Sequence, residues 1–331
     1  MPPEASAIPL YLAPMSGVSD LPFRLLAKEC GADVTITEFT SSAALTRDVA
    51  QSWLRLESDD RETPFIPQIF GGNQDEMVNT VKLLQDRADI IDLNFGCPAP
   101  KVTQACAGAA LMGVPDDLVN MVEACISVSD IPITAKLRLG TGVGKNTVVE
   151  ICKRLEEVGT MRLCVHGRTL RQGYSGVADW ETIRSVVESV NIPVVANGDI
   201  TSPESAIKCI EATNAAGLMI GRGAIGRPMI FHTIKEGLNW TNNTVPWENE
   251  NWENSDTEEK DFITREWCWN RYVDLAKETT GVQPKWLIRH AVAFTKGLPG
   301  AREARKLMMK DRSPDAFASA VAKFLNDGTR K

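Results

Sequence analysis

The chain has no run of about 18 apolar residues, the length a membrane-spanning helix requires, and residues 1–10 lack the charged-then-apolar pattern of a secretory signal. A helical membrane protein is thereby excluded, and a cytoplasmic protein without a membrane partner is expected. Cys-x-x-Cys pairs are also missing. The eight cysteines, Cys30, Cys97, Cys106, Cys125, Cys152, Cys164, Cys209 and Cys268, are scattered without zinc-type spacing. This excludes a disulfide framework and a structural zinc site, so reduced thiols and no metal are expected. Most of them lie in apolar surroundings, where a free cysteine behaves as a small core residue; Cys97 is the exception. Low-complexity tracts are lacking apart from one acidic stretch. With 43% hydrophobic and 24% charged residues, general disorder is excluded and a large core can form. A basic excess is lacking too: the net charge of −7 argues against a polyanionic partner. The total hides an asymmetry, because residues 261–331 hold 14 Lys and Arg against 8 Asp and Glu, while residues 1–260 hold 22 against 35.

What is present is an alternation of short apolar, β-branched runs with longer amphipathic ones. The strand candidates are Ile8–Ala13, Asp33–Thr37, Phe65–Phe70, Ile90–Asn94, Ile131–Leu137, Arg162–His166, Pro193–Ala196 and Gly217–Ile220. Helical patterns such as Gln74–Gln85, Asp116–Val128, Asn146–Glu157, Trp180–Glu188 and Pro203–Ile210 lie between them, with Asp116 and Ser202 as expected caps. Strands apolar on both faces imply a parallel sheet covered by helices, and eight such units predict closure into an α/β fold, the (β/α)₈ TIM barrel. A barrel of about 250 residues fits residues 1–240. Residues 241–261, rich in Asn, Glu and Trp, read as an acidic linker, and 262–331 as a helical bundle. No obligate protein partner is indicated.

Barrel enzymes build their sites from the C-terminal ends of the strands. In this chain those ends carry Met15, Glu38, Gln68, Asn94 with Cys97, Lys136 with Arg138, His166 with Arg168, Asn197 with Asp199, and Gly221 with Arg222. A barrel used only as scaffold has little reason to gather a thiol, an amine, an imidazole and several guanidinium groups at one mouth. Lys136 and Arg138 alternate with leucines and share one side of their strand; a lone strand lysine more often snorkels to solvent. His166 reads either as a site residue or as a satisfied core histidine. Cys97, between Gly96 and Pro98, is held out over the mouth by a stiff loop rather than packed as a structural thiol. The glycines of VANGDI and LMIGRGAIGRP, with Arg222 and Arg227, suit a phosphate site after the last two strands.

Together the segments APMSGVSDLPFR, TEFTSSAAL, PQIFGG, ADIIDLNFGCPAPKV, AGAALM, AKLRLG, VHGRT, YSGVADW, NGDI and MIGRGAIGRP, with KGLPGAREAR in the tail, resemble the tRNA-dihydrouridine synthase family over roughly residues 8–310. Cys106 departs from it, standing where glycine is typical, which implies a stiffer loop. The resemblance implies FMN bound by Pro14, Met15, Ser16, Gln68, Lys136, Asn197, Gly198, Asp199, Gly221 and Arg222, with NADPH as reductant. It implies Cys97 as the catalytic acid, and Lys101, Lys136, His166 and Arg168 at the substrate or the flavin. His166 and Arg168 are assigned either to the flavin phosphate or to the base carbonyls, and Asn94 and Arg138 are expected at the substrate.

The expected reaction is reduction of uridine in tRNA, with hydride passing to C6 and a proton from Cys97 to C5 of a base flipped into the mouth. Arg289, His290, Lys296, Arg302, Arg305, Lys306, Lys310 and Arg312 are the candidates for gripping phosphates, against the plainer reading of a solvated basic face. The competing enzyme class is an FMN-dependent oxidoreductase of a free pyrimidine such as dihydroorotate, which needs no basic tail. A noncatalytic flavoprotein or RNA-binding module is a third reading, disfavoured by the joint presence of Cys97, Lys136 and His166.

Overall fold

The computed structural model describes residues 7–144, 146–241, 257–309 and 313–328. Nine short strands form one all-parallel sheet: β1 (Leu10–Leu12), β2 (Val34–Thr35), β3 (Thr40–Ser41), β4 (Gln68–Phe70), β5 (Ile91–Phe95), β6 (Ile133–Arg138), β7 (Arg162–His166), β8 (Val194–Asn197) and β9 (Gly217–Ile220). Their order is β2-β1-β9-β8-β7-β6-β5-β4-β3. The two ends of that order are consecutive in the chain. β2 pairs with β1 and β3 with β4, and between them the Thr37 N–H donates to the Ile66 carbonyl at 3.1 Å while the Thr37 hydroxyl accepts from the Gln68 N–H at 3.0 Å. Segment 34–41 is therefore one bent barrel strand in two pieces, and the barrel has the eight expected units.

Several strands begin later than their apolar runs, for one physical reason. Pro9, Pro67, Pro132 and Pro193 precede β1, β4, β6 and β8, and a proline cannot donate to a sheet ladder. Each still accepts: their carbonyls take the N–H groups of Leu218, Asp92, Ile91 and Leu163 at 3.0–3.1 Å.

The outer layer holds α1 (Leu21–Glu29), α2 (Ser42–Thr46), α3 (Ala50–Trp53), α4 (Gln74–Leu84), α5 (Pro100–Thr103), α6 (Pro115–Ile126), α7 (Val148–Glu157), α8 (Trp180–Val187), α9 (Pro203–Thr213) and α10 (Ile230–Gly237). Ser202 caps α9 through a reciprocal pair of bonds with Ser205, and Pro203 opens that helix. Asp116 is not the cap of α6. The helix starts one residue earlier, because Pro115 already has the φ of a first helical residue, and Asp116 lies in the first turn, where its charge suits the helix dipole.

Among the described residues four helices follow: α11 (Thr257–Glu278), α12 (Pro284–Phe294), α13 (Ala301–Met308) and α14 (Pro314–Gly328). Of the stretch read as linker, residues 242–256 lie outside the described residues. Its end, 257–261, is helical rather than linker, because Phe262, buried against Phe324 of α14, anchors the first turns of α11. The buried core runs without a break from Leu21 and Phe23 of α1 to Trp269, Tyr272 and Phe294 of the tail. The Trp269 indole N–H, fully buried, donates to the Ala318 carbonyl at 3.0 Å. No helix among the described residues is long and apolar enough to cross a membrane.

Candidate active site

Parallel register sets neighbours across the mouth. Asn94 of β5 stands beside Lys136 of β6, and Arg138, His166 and Asn197 stand side by side on β6, β7 and β8. Above them opens a cavity of about 1000 Å³. Its lining takes Pro14, Met15 and Ser16 from the loop after β1, Asn94 and Cys97 from β5 and its loop, and Lys136, Arg138 and His166 from the next two strands. Asn197, Gly198 and Asp199 follow β8, Gly221 and Arg222 follow β9, and Lys296 comes from just beyond α12.

Cys97 sits on a loop that two groups hold. The Asn94 side-chain oxygen accepts from the backbone N–H groups of Gly96 (3.1 Å) and Cys97 (2.8 Å), and Arg138 Nε donates to the Gly96 carbonyl at 2.7 Å. Asn94 is in turn fixed from inside the barrel. Its amide donates to Gln68 Oε1 at 2.6 Å, the Gln68 amide donates to Asp92 Oδ2 at 2.6 Å, and Thr134 donates to the other Asp92 oxygen. Every member is buried. A satisfied buried network of this kind specifies one arrangement. Gln68, expected at the cofactor, is not among the lining residues and holds Asn94 and Asp92 through the two ends of its amide.

The thiol of Cys97 is pushed above its ordinary value by burial, which the Ala99 N–H and the charges of Arg138 and Lys136 only partly offset. The group is an acid that keeps its proton at neutral pH. Burial also lowers the Lys136 ammonium, whose Nζ donates to Asn197 Oδ1 at 3.1 Å, while the Asn197 amide donates to the Met219 carbonyl at 2.7 Å. His166 is held down to about 2 by burial and then by Lys136, Arg138, Arg168 and Arg222. It is a neutral imidazole at any working pH, with no hydrogen-bond partner among the described residues, and offers one donor and one acceptor to the cavity.

Asp199 adopts the left-handed region (φ 57°) and bridges Arg168 Nη2 at 2.8 Å and Arg222 Nη2 at 3.2 Å. Arg168 is not among the lining residues; it is bonded as well to the carbonyls of Ser175 and Gly176, which braces the loop after β7, while its buried Nη1 has no hydrogen-bond partner among the described residues. Lys101 is exposed on α5, outside the lining. Arg289 donates to the Ser16 carbonyl at 2.5 Å. Arg302, Arg305 and Lys306 lie together on α13, away from the cavity, and Arg305 Nε is bonded to the Ala301 carbonyl. Lys310 and Arg312 lie outside the described residues. His290 cannot meet a phosphate: it is fully buried, 2.9 Å from Asp20 Oδ1.

Two groups escaped the reading of strand ends. Tyr174 lines the cavity with Arg138 and Arg222 over its ring at 5.6 and 5.1 Å, but it lies eight residues beyond the last residue of β7. Asp92 stands inside an apolar strand rather than at its end; its spacing of two from Asn94 is the available signal. Cys106, exposed with φ 50°, takes the left-handed conformation that glycine adopts at little cost.

A closed parallel barrel whose one mouth gathers a protonated thiol, a neutral imidazole and several cations around a ligand-sized cavity belongs among the barrel enzymes. The chain is a member of the dihydrouridine synthase (Dus) family, whose model matches residues 11–327. It is 42% identical over 220 residues to a probable tRNA-dihydrouridine synthase from Rhizobium leguminosarum bv. phaseoli, covering 66% of this chain and 69% of the relative. It is 36% identical to tRNA-dihydrouridine synthase B of Pseudomonas syringae pv. tomato over 323 residues, 97% of this chain and 92% of the relative. The Pseudomonas aeruginosa enzyme of the same name is also 36% identical, over 97% and 95% of the two chains.

Proposed function

We propose that this chain reduces a uracil base in tRNA to dihydrouracil, using FMN bound in the barrel mouth and NADPH as the source of electrons. The observation that carries the reading is the Cys97 thiol on the wall of the cavity, kept protonated by burial on a loop fixed by Asn94 and Arg138. The named activity of relatives that match nearly end to end favours tRNA over a free pyrimidine.

The residues present fit FMN. The cavity, about 1000 Å³, lies at the upper end of the roughly 300–1,000 Å³ usual for ligand sites. His166 brings an unpartnered donor and acceptor, and Gly198 and Gly221 leave backbone open beside the Arg222 guanidinium, which is half exposed. Pro14, Met15, Ser16, Lys136 and Asn197 would hold the ring system, and Gly198, Asp199, Gly221 and Arg222 the phosphate end. Bound there and reduced by NADPH, FMN would supply the hydride that adds to C6 of the uracil.

The chain's own residues do the rest. Hydride arrival at C6 leaves an electron pair spread over C5, C4 and O4, and the Cys97 S–H bond breaks to give C5 its proton. The thiolate left behind is eased by the nearby charges of Arg138 and Lys136, the same charges that temper its raised pKa. Water restores the proton. The base must leave its stack to reach this depth, and the cations at Lys296 and on α13 would offset that cost by holding phosphates. We place the protein with its tRNA substrate in the cytoplasm. Mass analysis of tRNA nucleosides from cells with and without the protein tests the reading: loss of dihydrouridine at a defined position is expected, and unchanged tRNA would overturn it.

A further inference from the structure

We infer that Arg289 is a positioning residue for the turn after β1, so that the C-terminal helices complete the cofactor cavity in addition to carrying basic charge. The inference rests on the reading that this cavity holds FMN. Pro14, Met15 and Ser16 all line the cavity, and the turn that carries them is held both by its own bonds and by groups from outside it. The Gly17 N–H donates to Glu38 Oε2 at 2.6 Å, and Ser19 Oγ accepts from the Met15 N–H and donates to the Ala13 carbonyl, both at 2.9 Å. From the tail, Arg289 Nη1 donates to the Ser16 carbonyl at 2.5 Å. Gly17 (φ +72°) leaves room for that guanidinium, since a Cβ there would lie 1.8 Å from Nη1.

The end of the turn depends on the same helices. Asp20, buried and just before α1, accepts from the Tyr272 hydroxyl at 2.8 Å on one oxygen and meets His290 Nε2 at 2.9 Å on the other. A buried carboxylate without partners is strongly unfavourable, so the turn and the tail require each other. Lys296, shortly beyond α12, then lines the cavity itself. Although Arg289 is exposed and cationic, as an RNA-binding residue would be, its Nη1 is committed to the Ser16 carbonyl of the cavity turn.

The test compares purified holoenzymes of the native chain, R289A, R289K and G17A. FMN affinity is read from the fluorescence of released flavin on dilution, and tRNA affinity is measured in parallel by filter binding. R289A should weaken FMN binding about tenfold, the scale of one charge-assisted hydrogen bond. R289K, which can still donate to Ser16, should restore most of it. G17A should also release flavin, and only the part due to the collision should disappear in the R289A/G17A double variant, because the strain of a side chain at φ +72° remains. The inference is overturned if R289A and G17A hold FMN within about twofold of the native chain while R289A loses tRNA affinity. If R289A fails to fold, G17A and R289K decide the matter by the same criterion. Failure of the native chain to take up FMN would overturn the flavin reading itself, and that result needs no variant.

Discussion

The cavity wall that carries Cys97 is braced from inside the barrel, by Gln68, Asp92, Asn94, Thr134 and Arg138, whereas the wall that carries Met15 is held by Ser19 and Glu38 and, in addition, by Tyr272, Arg289 and His290, more than 250 residues further along the chain. The first kind of support comes with the parallel sheet, because register alone brings neighbouring strand ends together. The second requires a separate set of helices to dock correctly on α1. Damage to the tail should therefore reach the Met15 wall while sparing the Cys97 wall, and damage to the relay should do the reverse.

The largest expected effect tests the Cys97 wall directly. C97A should cut the rate of uracil reduction in tRNA about 10²- to 10⁴-fold, the usual contribution of a positioned acid, with FMN content unchanged. Single-turnover measurement of dihydrouridine formation checks this, and a native rate would remove the thiol from the reaction. Next, D20A leaves Tyr272 and His290 facing each other without their buried acceptor, and should cost about 1–3 kcal/mol for each of the two unsatisfied groups in denaturant unfolding. A loss within surface-mutation range, below about 0.5 kcal/mol, would show that the tail does not brace the turn.

Smaller effects sharpen the same contrast. Q68L strips Asn94 and Asp92 of a partner each and should cost about 1–3 kcal/mol; the rate with tRNA should fall more than FMN affinity. Equal losses in both would mean that the relay supports the barrel generally rather than the Cys97 loop. Reversing charge at Arg302, Arg305 and Lys306 should weaken tRNA binding and lower its salt dependence by roughly one unit of slope for each phosphate that is no longer neutralised. Unchanged slopes would assign α13 to a solvated face.

The pH profile should show the mildest signature. Burial raises the Cys97 thiol, and an acid with a raised pKa keeps its proton to higher pH, so the rate should stay level through neutrality and decline only above the ordinary thiol value of about 8.5. His166, held down to about 2, is neutral throughout and should leave no inflection near the ordinary histidine value of about 6.5. Stopped-flow rates across pH test both statements; a break near either ordinary value contradicts the corresponding one.

The barrel was legible because its periodic apolar runs have few other ways to be buried, and the strand-end rule then pointed to Met15, Asn94, Cys97, Lys136, Arg138, His166, Asn197, Asp199, Gly221 and Arg222, all of which line the cavity. It was less reliable wherever a side chain is held by something distant. Gln68 and Arg168 stand at strand ends yet outside the lining; sequence shows a polar group at a strand end but not which other side chains or loop carbonyls engage it. His290 looked basic and available, and is instead a buried partner of Asp20. Tyr174 was passed over because loop length hides which loop residue folds back over the mouth.

The order of apolar and polar residues by itself determined the eight strand-helix units, the end of the barrel where the reactive groups gather and the concentration of positive charge in the tail. Those features follow from local periodicity and counting. Which polar groups face the cavity and which stand behind it was decided only by tertiary structure. A hydrogen bond between residues 20 and 290 or 16 and 289 depends on how helices dock in three dimensions, and nothing in the spacing along the chain encodes that approach.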